Sequence, residues 1–434
     1  MIQELKIKNF ISFKEEVKFS FEASKDTFAE SSQVVKVNEN TRLLRFAVVY
    51  GYNASGKTNL LKAFKFLKDF WFKKQSNAYD GTNVKPFKLD QSSEKNPSTF
   101  DLIFFVEGIK YRYQLELNQS VVLLEKLSYY KSSQPIKLFE RTLESGQTAI
   151  SFGANLKVSK AIKDNITLLC LNNMSFFAAR EQLNAKIPLI DDVKEWLRRK
   201  FMETITPSTD LTLYAQRKLS NDNDLKKYII DFLHEADFNI SDISSETVEN
   251  ALPKEILDIV LKIKELSTID KSKLSDKKTI QKIRTDFYHT VERNGESETY
   301  PLSLDDKEES NGTVRTFGIE TAIHSALKRN AFLAIDEIET SFHPYLLERI
   351  LYEFLRSTSQ SQLLVSTHND GLLDLVNDLI REDCVWFTEK QKSGITDLYK
   401  LNDFRGLKNL ISIREAYRNK RFGATMGSSW KKEL

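Results

Sequence analysis

Residues Gly51-Tyr52-Asn53-Ala54-Ser55-Gly56-Lys57-Thr58 follow the spacing G-x-x-x-x-G-K-[ST]. Glycines at both ends let successive backbone N–H groups curl around phosphate oxygens, and a helix opening at Lys57 adds its positive dipole end. Gly51, Asn53, Ala54, Ser55, Gly56, Lys57, Thr58 and Asn59 therefore form the expected ATP-binding set. Lys57 should reach the β- and γ-phosphates, and the Thr58 hydroxyl should ligate Mg²⁺. An ordinary glycine turn is the bland alternative. The placement between a buried apolar run and an amphipathic stretch argues against it.

Three further stretches carry groups that such a site needs. Phe332-Leu333-Ala334-Ile335-Asp336-Glu337 ends an apolar run in two acids. Asp336 is expected on the Mg²⁺ beside Thr58, and Glu337 as the general base that polarises the attacking water. Leu364-Val365-Ser366-Thr367-His368 ends the next apolar run in a histidine. At that end of a parallel strand His368 faces the ligand crevice and is expected to sense the γ-phosphate. Glu309-Ser310-Asn311-Gly312-Thr313 reads by itself as a solvated Asn-Gly turn, since that dipeptide tolerates positive φ. Beside the other motifs, Ser310 and Gly312 at the start of a helix over 314–327 are expected to face ATP bound to a second copy.

The elements that must position these residues are legible as hydrophobic periods. Residues 2–9 alternate as a half-buried strand, with 17–21 as a hairpin partner. The run 43–50 reads as one strand buried on both faces, and 57–72 as a helix with Leu60, Leu61, Phe64, Leu67 and Trp71 on one side. From 98 to 130 the period is two, which predicts an antiparallel lobe. Helices are expected over 192–201, 225–234 and 253–266, then a polar linker over 267–282 and a strand over 283–291. Alternating helices and apolar strands after 314 predict a parallel α/β sheet, with strands at 331–335, 362–367, 384–388 and 396–401. The expected division is an N-terminal ATPase lobe (1–190), a helical insert (191–282) and a C-terminal lobe (283–434).

Composition excludes several classes. Hydrophobic residues make up 41% and charged residues 29% of the 434, ordinary for a globular protein. Lys and Arg (64) nearly balance Asp and Glu (61), so no global field recruits nucleic acid or membrane. No apolar run is long enough to span a bilayer, and the start MIQELKIKNF has no secretory apolar region. The two cysteines, Cys170 and Cys384, lack metal or redox spacing, so a cytoplasmic setting without a zinc site or disulfide framework is expected. Basic runs at 262–282 and 408–421 are interspersed with acids or apolar residues, the pattern of solvated faces. The Asn/Thr-Lys-x-Asp guanine motif of Ras-like GTPases does not occur.

Glutamate after the strand-end aspartate, with a histidine one strand later, points to the ABC class, in which ATP is sandwiched between two subunits. Within it the chain resembles the RecF/SMC/OLD ATPases, and the RloA-like group in particular. The resemblance runs from Asn9-Phe10-Ile11-Ser12-Phe13, through residues 51–58 and Glu309–Thr313, to Asp336–Pro344, Thr367-His368 and Tyr417–Gly423. Ile11 stands where many SMC-type members carry a basic residue, and Gln114 and Gln182 are both candidates for the Q-loop. The resemblance implies a P-loop ABC-type ATPase head with an antiparallel β lobe and a helical insert. It also implies Mg²⁺ and ATP as cofactors, a second copy of the chain as partner, and membership of an anti-phage system, abortive-infection or PARIS-like, with a separately encoded effector. Neither long coiled-coil arms like those of SMC proteins nor a fused Toprim nuclease like that of OLD-type relatives is expected. The expected function is an ATPase sensor and scaffold. The alternatives are a RecF-like ATP-gated DNA-binding or repair factor, and an ATP-locked assembly with negligible turnover.

Overall fold

The computed structural model describes residues 1–236, 239–251, 279–293, 295–304 and 306–425, in two compact units. The first comprises Met1–Pro207, Ser325–Thr340 and Ile350–Leu434; the second comprises Ser208–His324 and Ser341–Arg349. The helix expected at 253–266 lies outside the described residues, as does all of the 267–282 linker except its last four positions. No described helix is long and apolar enough to cross a membrane.

The first unit is built on a five-stranded sheet in the order Phe332–Ile335, Gln362–Ser366, Phe46–Tyr50, Val385–Lys390, Thr396–Lys400. The first four strands are parallel and the last is antiparallel to its neighbour. Every residue of Phe46–Tyr50 is buried, as a central strand covered on both faces requires. Helix Lys57–Phe72 follows it and seats Phe64 against Phe332, ring centroids 5.0 Å apart. Register then matters most. Ile335 pairs with Val365, and Val365 with Val48, so the C-terminal ends of the three strands fall within two residues of one another along one edge.

The single strand expected over 43–50 is two. Thr41–Leu44 pairs with Val34–Asn38, while Phe46–Tyr50 enters the core sheet. Arg45 makes the break. It is buried, and its guanidinium donates to the carbonyls of Ser32 (2.7 Å) and Ser357 (2.6 Å) and to the Ser357 hydroxyl (2.7 Å). Satisfying a buried cation with these acceptors outweighs continuing one ladder.

Strand Ile2–Lys8 pairs with Val17–Ser20 as expected, and on its other side with Ser98–Val106. The hairpin is thereby one edge of a seven-stranded antiparallel sheet running out to Gln147–Phe152. The Gln362 amide ties this sheet to the core, accepting the Ile2 N–H (2.5 Å) and donating to the carbonyls of Ile2 and Leu44.

Inside the lobe, Glu125 and Arg141 form a fully buried pair at 3.3 Å. Glu125 also accepts from Tyr113 (3.0 Å), Ser175 (2.7 Å) and the Phe176 N–H (2.7 Å). Arg141 donates to the carbonyls of Leu171, Asn172 and Met174, which fastens residues 171–176 to the sheet. Arg141→Met leaves the carboxylate buried without its cation and is expected to destabilise the unit by about 3–5 kcal/mol. A drop in the urea midpoint with unchanged slope measures this; a shift no larger than a surface ion pair gives, ~0.5 kcal/mol, would contradict it.

The second unit departs from a purely helical insert. Helices Thr212–Leu219 and Asn223–Glu235 are present, but they accompany an antiparallel sheet of Ile240–Ala251, Thr279–Arg293 and Glu296–Ser303. Ile240–Ala251 is polar (ISDISSETVENA), and Ile240 and Ile243 are the buried hydrophobics among its described side chains. Its strand character comes from the ladder to Thr279–Arg293 and leaves no alternating pattern to read. Helix Ile190–Arg199, expected at the start of the insert, belongs to the first unit.

Candidate functional site

The loop 51–56 leaves the central strand in a conformation that only its glycines allow. Gly51 has φ 155 and Gly56 φ 119. A Cβ on Gly51 would meet the Thr388 carbonyl at 2.6 Å, and one on Gly56 would meet the Thr396 side chain at 2.6 Å. Those threonines brace the loop from below. Ser55 Oγ and Thr388 Oγ1 are 2.7 Å apart, and Thr396 Oγ1 donates to the Ser55 carbonyl (2.9 Å) and lies 2.8 Å from Ser12 Oγ, whose hydroxyl it can accept. Asn59 turns its amide to Ser12 Oγ (2.8 Å), so its side chain serves the N-terminal loop. Ser12 of the Asn-Phe-Ile-Ser-Phe stretch thus acts from beneath the phosphate loop. Asn53 and Ala54 are exposed at the tip.

Lys57 folds back under its own loop. Its ammonium donates to the Gly51 carbonyl at 2.7 Å and lies 3.2 Å from His368 Nδ1. Burial lowers its pKa to about 8, against the opposing pull of Glu339, Glu337 and Asp336. Thr58 Oγ1 donates to Asp336 Oδ1 at 3.2 Å. Ser366 Oγ, at the end of the intervening strand, donates to the same Asp336 oxygen (2.5 Å) and accepts the Glu337 N–H (2.8 Å). Glu337 takes φ 47, and its carboxylate oxygen Oε1 lies 3.7 Å from His368 Nε2. Glu339 Oε1 accepts the His368 backbone N–H at 2.5 Å.

The strands therefore bring together Lys57, Thr58, Asp336, Glu337 and His368 from three separate motifs. A lysine facing three carboxylates suits a bound polyphosphate that arrives with a cation. Thr58 and Asp336 offer a hydroxyl and a carboxylate oxygen, the hard donors that Mg²⁺ takes. No cluster of three or more His, Cys, Asp or Glu among the described residues could hold a metal, but two protein oxygens are enough for an ion that keeps waters and phosphates as ligands.

Ser310 and Gly312 lie in the second unit. The Ser310 hydroxyl accepts the Thr313 N–H (3.0 Å) and caps helix Asn311–Arg329. Asn311-Gly312 is the first turn of that helix, three residues earlier than its expected start, and does not form the free-standing turn its composition suggested. Capping by Ser310 supplies the reason. Gln182 bonds the Ala178 carbonyl within its own segment, and Gln114 sits in a strand opposite Asp101 and Lys126. Ser12, Glu339, Ser366, Thr388 and Thr396 emerge only from the structure. Of these, Ser12, Glu339 and Ser366 lay in stretches the sequence singled out (Asn9–Phe13, Asp336–Pro344 and Leu364–His368), but with no role of their own; Thr388 and Thr396 carried no signal.

The C-terminal helix Ile413–Arg418 packs beside the histidine loop. Arg414 donates to Asp370 (3.0 Å) and Asp374 (2.8 Å), and Arg418 to Asp370 (2.6 Å). Although burial opposes it, the two guanidiniums hold the Asp370 carboxyl below its usual range.

Comparison with known proteins gives one family. Residues 46–160 and 205–374 match the family described as "AAA domain, putative AbiEii toxin, Type IV TA system". No curated protein matches the chain. Among solved structures, an SMC head domain from Thermotoga maritima shares 13% identity, with 92% of this chain and 98% of that one covered and a TM-score of 0.39. An SMC head bound to the C-terminal winged-helix domain of ScpA shares 12%, covering 93% and 99% with a TM-score of 0.42. An SMC head with an extended coiled coil, bound to the C-terminal domain of ScpA from Pyrococcus furiosus, shares 12%, covering 97% and 98% with a TM-score of 0.37. Likeness at this level carries no inference about what the chain does.

Proposed function

Because the chain belongs to the AAA-domain family matched at residues 46–160 and 205–374, we propose that it is an Mg²⁺-dependent ATPase whose cycle controls a separately encoded effector. The convergence of Lys57, Thr58, Asp336, Glu337 and His368 at the ends of three adjacent parallel strands carries this reading. Gly51 and residues 53–59 cradle the triphosphate, with Lys57 on the β- and γ-phosphates. Thr58 and Asp336 would hold Mg²⁺, which when bound offsets phosphate charge. Glu337 accepts a proton from the attacking water, and His368 reports the γ-phosphate.

ATP is then enclosed by a second copy. The Ser310 hydroxyl and the first N–H groups of helix Asn311–Arg329, Gly312 among them, donate to the γ-phosphate held on the partner. The family's description as a type IV toxin–antitoxin component supports a prokaryotic anti-phage or toxin–antitoxin setting in the cytoplasm. In it this chain is sensor and scaffold and another chain is the effector. Pairing of Arg414 and Arg418 with Asp370 and Asp374 leaves less charge for a phosphodiester backbone, which favours this role over an ATP-gated DNA binder.

The test is Ser310→Arg. ATP affinity of the single chain should be unchanged, while turnover falls by about 10²–10³-fold, as for loss of a transition-state donor. Light scattering should find no ATP-dependent doubling of mass in the variant, against doubling in the parent. Normal phosphate release by Ser310→Arg would reduce 310–313 to a plain helix cap. Salt-sensitive duplex binding by the isolated parent would favour the DNA role instead.

A further inference from the structure

We propose that Glu339 is a positioning residue for His368: its carboxylate fixes the histidine backbone, and through it the ring, against Lys57 and Glu337. The inference rests on the reading of this site as the ATPase centre and adds a residue to it.

Glu339 is delivered by a tight turn after the strand Phe332–Ile335. The Thr340 N–H bonds the Glu337 carbonyl (3.0 Å), the Ile338 N–H bonds the Ser366 carbonyl (3.1 Å), and the Ile338 side chain is wholly buried. This anchoring returns Glu339 Oε1 to the His368 N–H at 2.5 Å. The turn of the histidine loop is shaped by its own side chains, Thr367 accepting the Asn369 N–H (2.9 Å) and Asn369 the Gly371 N–H (2.9 Å), while Arg414 and Arg418 hold Asp370 beyond it. The Glu339 bond is thus a tie between this stretch and a different strand end. It acts at the one residue whose ring bridges Lys57 (Nδ1, 3.2 Å) and Glu337 (Nε2, 3.7 Å).

The second Glu339 oxygen is buried and has no hydrogen-bond partner among the described residues. Shielding one carboxylate oxygen of a half-buried glutamate without a partner costs free energy, and stability by itself gives no reason for it here. Releasing the His368 backbone lets the ring shift. A misplacement near 1 Å at a reacting centre lowers rate by about 10²-fold. Binding of ATP through the phosphate loop does not pass through this bond, so affinity is spared.

The experiment is a double-mutant cycle with two readouts, steady-state phosphate release and affinity for a fluorescent ATP analogue. Glu339→Ala should lower kcat by about 10²-fold with analogue affinity within a few-fold of the parent. Glu339→Gln keeps the volume and the accepting oxygen, so it should recover most of the rate, and it keeps the test open if the alanine variant misfolds. In a His368→Ala background, Glu339→Ala should add almost nothing. Multiplying losses in the double variant, or a Gln variant as slow as Ala, overturns the proposal; the second result would make the residue a charge partner of Lys57. A His368→Ala chain with full turnover removes the sensing role of His368, and this proposal with it. Additivity alongside a crippled His368→Ala removes only Glu339.

Discussion

Lys57→Ala should weaken ATP binding by two orders of magnitude or more. The parent lysine is buried, donates to its own loop at Gly51, and feels the charge of Glu339, Glu337 and Asp336. An incoming triphosphate replaces the Gly51 carbonyl with charged acceptors. Each hydrogen bond to a charged group is worth about 1.5–3 kcal/mol, so losing the two that reach the β- and γ-phosphates costs ~100-fold or more in Kd. Fluorescent analogue titration measures it, and circular dichroism checks the fold. Retention of parent affinity would sink the assignment of residues 51–59. A pH dependence follows with a definite sign. Burial has lowered the Lys57 pKa to about 8 in the nucleotide-free protein, so its charge is present below that pH and is lost above it. Affinity in the parent should therefore decline as pH rises through 8, and the alanine variant should lack that decline.

Glu337→Gln separates binding from hydrolysis. The amide has the size of the carboxylate, and the backbone N–H bond to Ser366 that sets the residue at φ 47 does not involve the side chain. What is lost is the base. General-base removal costs about 10²–10⁴-fold in rate, so turnover should fall to near background while ATP remains bound. The ATP-closed dimer should then persist on light scattering long after the parent has returned to single chains. Turnover within a few-fold of the parent would exclude Glu337 as the base. A parent whose own turnover cannot be measured would leave only an ATP-locked assembly.

Individual residues show how far the sequence reaches. The motif at residues 51–58 was legible because its signal is local: glycine dihedrals, one lysine and one hydroxyl at fixed spacing. Asp336 and His368 were readable because each ends an apolar run. Glu339, Ser366, Thr388 and Thr396 were not, since a carboxylate or hydroxyl in a turn or strand has no local mark of its partner. Arg45 was absorbed into an apolar run because most of its acceptors, at Phe354 and Ser357, lie more than 300 residues away. Ile240–Ala251 hid for a different reason, as a strand held by its ladder with little apolar surface to bury.

By itself, then, the sequence determined the α/β class, the antiparallel lobe and the chemistry available, because hydrophobic period and motif spacing act over a few residues. Tertiary structure decided how that chemistry is assembled. The pairings Ile335–Val365 and Val365–Val48 bring three strand ends to within two residues of one another, so that Asp336, His368 and the loop after Tyr50 meet at one edge. A shift of one residue in either register would turn every side chain to the opposite face and part them. That register is fixed by burial on both faces of the sheet, a property of the whole packed unit.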